Sequence, residues 1–154
     1  MRFQRLPYAA FNVKPDAMAE PDRQLTARLS QSLSSKFRPT RAQKHWSFPH
    51  WALDVTAGGD RFLVSVHKSK ARKDGWILRI IPGAARVWLA LLRQQTAEHV
   101  FAELFAVCRE IHVCLATTPG VVDPYWGFSK TQPTVWTPEQ LFEMKYKQEG
   151  WTGP

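Results

Sequence analysis

Cysteine is scarce in this chain, with only Cys108 and Cys114 among 154 residues. The two lie six apart, where a single helix would point them in different directions, so no disulfide framework is expected. Long apolar runs are missing too. Nothing approaches the roughly 18 apolar residues of a membrane span, and no apolar stretch follows the basic start MRFQRLPY to act as a secretory signal. The eight glycines fall mostly at turns, and GxSxG, HExxH, CxxC, a Gly-rich phosphate loop and a paired-carboxylate pattern are all lacking. These absences predict a cytoplasmic, non-enzymatic protein without cofactor or metal.

Acidic residues are also few, 13 against 21 Lys plus Arg, for a net charge of +8. The excess is concentrated. Residues 36 to 93 hold twelve basic residues and three acidic ones, a net of +9, while the rest of the chain carries −1. A clustered field steers association with an anionic partner, whereas dispersed charge mainly confers solubility. That partner is nucleic acid, a lipid surface or an acidic protein face, and a merely solvated basic surface is the plain alternative.

Leu, Ile, Val and Phe make up 37 of the 154 residues, about 24% and above the roughly 20% below which chains stay disordered. The length suits one domain over residues 1–154. Residues 1 to 20 mix aromatics with Pro7 and Pro15 without a sustained period, and read as an arm laid over the core. From Pro21, Leu25, Leu29, Leu33 and Phe37 recur every four residues until Pro39, the pattern of an amphipathic helix.

Alternation then predicts three strands, around Trp51 to Thr56, Phe62 to His67 and Trp76 to Ile81. Gly58-Gly59-Asp60 and Asp74-Gly75 supply the turns between them. A second helix carries Phe101, Leu104, Phe105, Cys108, Ile111 and Leu115 on one face, with Thr96 as its cap. Val121 to Phe128 reads as a fourth strand that Pro124 confines to an edge or a bulge. Within the extension 129–154, Thr137-Pro138-Glu139-Gln140 opens a short closing helix. The expected fold is α+β, a two-layer sandwich: a mainly antiparallel sheet of about four strands under two amphipathic helices, in the order α-β-β-β-α-β plus a short C-terminal helix.

Cys108 and His112 are four apart on one predicted helix, which is the spacing of a nucleophile with its base or of two metal ligands. Cys108 also belongs to the apolar stripe, and that makes it a core residue instead. The pairs His45-Trp46 and His50-Trp51 sit in the basic region, where aromatics among cations stack unpaired bases, although Trp51 continues the inward face of its strand. Lys68, Lys70, Arg72 and Lys73 cluster on a hairpin loop. Between Arg86 and Arg93, Val87, Trp88, Leu89, Leu91 and Leu92 cannot all face one side of a short helix, so the sheet edge or a partner must bury the surplus. Trp and Arg are enriched at binding hot spots. The candidate partner-binding residues are therefore Lys68, Lys70, Arg72, Lys73, Arg86, Trp88 and Arg93.

An amphipathic first helix followed by HWALDV, RFLVSVH, GWILRII, RVWLALLRQQ, CLATTPGV and DPYWGF, spanning residues 20 to 128, resembles small bacterial immunity proteins of polymorphic-toxin and secreted-effector systems. That resemblance implies an α+β body that binds a cognate toxin or effector and blocks it, with no catalytic residues to carry over. The same helix order resembles type III secretion chaperones, which are usually acidic dimers, unlike this +8 chain. A nucleic-acid-binding module built on residues 36–93 is the alternative from a different class.

Overall fold

The computed structural model describes residues 6–44, 50–83, 98–128 and 133–145. In chain order they form β1 (Pro7–Val13), α1 (Pro21–Leu33), β2 (Arg38–Pro39), β3 (Gln43–Lys44), β4 (Trp51–Ala57), β5 (Asp60–Lys68) and β6 (Gly75–Pro82), then α2 (Glu98–Thr117), β7 (Val121–Phe128) and α3 (Pro138–Lys145). The class is α+β, but in place of the expected four-stranded sheet under two helices the described residues form seven antiparallel strands and three helices, beginning with a strand.

The principal correction is β1. Residues 7–13, read as part of an arm, lie in the sheet between β6 and β7, in the strand order β2-β4-β5-β6-β1-β7, with β3 also paired to β4. Ala9, Phe11 and Val13 are buried against the helices. Pro7 is at the strand start, where a missing N–H is tolerated. Because Ala9 and Ala10 are small and both buried, the segment lacks the apolar and polar alternation that betrays a strand.

The β4–β5 turn is a two-residue hairpin in which Ala57 faces Asp60, and Gly58 and Gly59 take φ of +56 and +87. Two successive left-handed residues match the twist of the flanking strands, and glycine adopts them without steric cost.

Short pairings flank the sheet at both ends among the described residues. β2 and β3 pair with opposite ends of β4, and Thr40 between them donates its N–H to the Asp54 carbonyl at 2.7 Å and accepts the Asp54 N–H on its hydroxyl at 2.9 Å. At the other edge, Pro124 stands in β7, whose register with β1 shifts between Ala10 and Asn12. The chain then doubles back so that Trp126 N–H donates to the Val135 carbonyl at 2.7 Å.

α1 presents Leu25, Leu29 and Leu33 to the sheet and stops at Leu33, one turn before Phe37. The hydroxyls of Ser34 and Ser35 bond back to the Gln31 and Ser32 carbonyls, which competes with continuing the helix. Phe37 still packs on the core from beyond the helix end. α2 buries Leu104, Cys108, Ile111 and Leu115, and Phe142 of α3 packs on Phe105 with ring centroids 4.9 Å apart. The three helices thus share one apolar cluster with one face of the sheet. Among the described residues, no helix lies on the other face.

Candidate binding surface

Strand register dictates which side chains reach that other face, because alternate residues leave opposite sides of a sheet. Its central row runs Ala52, Ser65, Arg79, Tyr8 and Gly127 across β4, β5, β6, β1 and β7. The next row holds His67, Ile77, Ala10 and Tyr125. Leu63 and Ile81 face each other on the opposite side of the central row. Ala52, Ala10 and Ser65 are buried beneath their neighbours, while Arg79 and Ile81 are exposed and Tyr8, Leu63, Ile77 and Tyr125 are half-buried.

Aromatic pairs stand at both ends of this band. His50 lies against His67 with ring centroids 4.9 Å apart, and Tyr125 lies against the half-exposed Trp136 at 4.0 Å. Burial, with the Arg79 and His50 charges adding to it, pushes the His67 imidazole down to about 4. Burial also raises the Tyr8 phenol, and the Arg72 and Arg79 cations partly offset that rise.

Between β1 and β6 the face opens into a cavity of about 460 Å³ lined by Leu6, Pro7, Tyr8, Ile77, Arg79, Ile80 and Ile81. A second hollow, of about 550 Å³, lies between α1 and the β3 edge and is lined by Arg23, Ser30, Arg41, Lys44 and Trp51 among others. There the Arg23 guanidinium sits 5.4 Å from the Trp51 ring centroid, which places Trp51 on the helix side of the sheet.

Of the sequence-derived candidates, Lys68 ends β5 and Lys70, Arg72 and Lys73 occupy the β5–β6 loop, all exposed. The loop is ordered from within. Ser69 N–H donates to the Gly75 carbonyl at 2.8 Å, and the buried Ser69 hydroxyl accepts the Ala71 N–H at 3.3 Å. Arg72 lies back over Gly75, where a Cβ would come within 2.7 Å of the Arg72 Cβ. Arg86, Trp88 and Arg93, with Thr96, lie outside the described residues, as does Trp46. The Arg72 charge acts on Tyr8, which stands opposite Arg79, and the sequence singled out neither Tyr8 nor Arg79. Tyr8 was hidden by reading β1 as an arm, and Arg79 by its place in the middle of a strand.

Cys108 and His112 are separated in role. Cys108 is fully buried, and desolvation raises its thiol well above the ordinary value. His112 accepts a hydrogen bond on Nδ1 from the indole N–H of Trp126 at 3.0 Å, and burial lowers its pKa. Neither group is poised for nucleophilic chemistry. Among the described residues, no three His, Cys, Asp or Glu side chains gather where they could hold a metal ion, and no helix is long and apolar enough to cross a membrane. Comparison with protein-family models, curated proteins and solved structures gives no match.

Proposed function

We propose that this chain is a non-enzymatic cytoplasmic binding protein of the immunity type, which covers an acidic face of a cognate bacterial toxin or effector. The observation that carries the reading is the division of the sheet. One face is packed by all three described helices, while the other presents Tyr8, Ile77, Arg79 and Ile81, and the exposed Lys70, Arg72 and Lys73 stand on the loop joining β5 to β6 of the same sheet. Half-exposed apolar and aromatic side chains with a cationic loop on the same sheet have the make-up of a protein interface, with burial energy in the patch and steering charge at one end of it. The test is co-expression with the toxin encoded beside the gene for this chain. Restored growth and a complex that dissociates with rising salt are expected, and absence of both protection and binding overturns the reading.

A second reading, single-stranded nucleic-acid binding, is favoured by the placing of His50 with His67, Tyr8 with Arg79, and Tyr125 with Trp136 along one band of the face. Bases stack on such rings while cations track the phosphates. Titrating random oligonucleotides against salt separates the two, because phosphate-driven affinity falls linearly in log salt. Micromolar, salt-steep binding to random sequences supports this second reading over the first.

A further inference from the structure

The cavity between β1 and β6 differs in kind from the rest of the basic surface. Its walls are aliphatic, from Leu6, Pro7, Ile77 and Ile81, and its one charged group is Arg79. Register sets Tyr8 directly opposite Arg79, so hydroxyl and guanidinium leave the same face of the sheet from neighbouring strands. Ile77 and Ile81 flank Arg79 on β6, each two residues and roughly 7 Å along the strand. Among the described residues no carboxylate pairs with Arg79, and none lines the cavity.

The exposed Arg79 guanidinium, with no carboxylate paired to it among the described residues, offers its fork of N–H donors to an anion. The walls require that the remainder of that anion be apolar. The two parallel N–H groups of one guanidinium fork match the two oxygens of a carboxylate. The volume falls in the lower half of the range for small-molecule sites, which fits a body of medium length.

We propose that this cavity binds a small amphipathic carboxylate, with its oxygens held by Arg79 and its apolar body lying between Ile77, Ile81, Leu6 and Pro7. The site does not depend on the macromolecular partner proposed above.

The test uses the full chain with sodium octanoate and octanol as probes, followed by calorimetry and by backbone amide shifts. Saturable binding of one octanoate is expected, with shifts centred on β1 and β6 and affinity about tenfold or more above that of octanol, the scale of one charge-assisted hydrogen bond. Arg79→Gln should erase the preference for acid over alcohol, while Arg79→Lys keeps part of it. Ile81→Glu, which sets a fixed carboxylate at the mouth, should weaken octanoate more than octanol. Equal binding of acid and alcohol by the unaltered chain, no saturable binding, shifts away from β1 and β6, or a preference that survives Arg79→Gln each overturn the site. If Arg79→Gln fails to fold, an Ile81→Glu protein with undiminished preference for the acid overturns it as well.

Discussion

The indole N–H of Trp126, a fully buried residue of β7, donates to Nδ1 of His112 on α2 at 3.0 Å. This one bond ties the second helix to the edge strand and explains why a histidine flanks an apolar stripe. It also fixes the neutral tautomer, with the remaining proton on Nε2. His112→Ala leaves a buried donor unsatisfied, so a loss of about 1–3 kcal/mol is expected in denaturant melts. Trp126→Phe removes the donor too, and combining the two changes should cost less than their sum. Strict additivity would mean the bond contributes nothing.

Cys108 and Cys114 are both buried, and desolvation raises both thiols. Native protein should therefore resist alkylation and react fully only after denaturation. Cys108→Ser places a hydroxyl in an apolar cluster at a cost of about 1–3 kcal/mol, seen as a lower Tm, with binding to the partner retained. Rapid labelling of the native protein, or lost binding at unchanged Tm, would return Cys108 to a chemical role.

Acid should weaken the fold through His67. Its imidazole takes up a proton near 6.5 in the unfolded chain but only near 4 in the folded one, because of burial and then the Arg79 and His50 charges. The unfolded state thus binds more protons between those limits, so this contribution is complete above about pH 6.5 and lost progressively down to about pH 4. His112, lowered in the same direction, adds to the slope. Urea melts across this interval should show stability falling with pH, and His67→Gln should flatten the dependence. An unchanged slope in His67→Gln would remove His67 from the account.

Periodicity exposed the elements that bury one clean face. Leu25, Leu29 and Leu33 marked α1, and Val64 and Val66 marked β5, because helices and half-buried strands write different periods into the sequence. Where both faces are shielded, the period vanishes. Ala9 and Ala10 are buried back to back in β1, so the strand that completes the sheet read as an arm and the strand order was missed. The short β2 and β3 carry two residues each, too few for any period. The cationic loop was legible from composition alone, but Tyr8 and Arg79 meet only through the pairing of β1 with β6, more than sixty residues apart in the chain.

The loop cations offer the sharpest test of the proposed interface, provided that the right ones are changed. Arg72 is unsuitable because it lies over Gly75, so its replacement disturbs the turn as well as the field. Lys70 and Lys73 are exposed on the same loop, and Ser69 and Gly75 hold the backbone beneath them through bonds that involve neither side chain. Lys70→Glu with Lys73→Glu should leave the Tm within a degree or two, since surface charges contribute little to stability. If the partner's face is acidic, the double change should slow association by roughly an order of magnitude at low salt and leave dissociation nearly unaltered, because rim charges act on encounter more than on residence. Raising salt should bring the two association rates together as screening removes the steering. Equal association rates at low salt would place the loop outside the interface, and a changed dissociation rate alone would make it a direct contact in place of a steering patch.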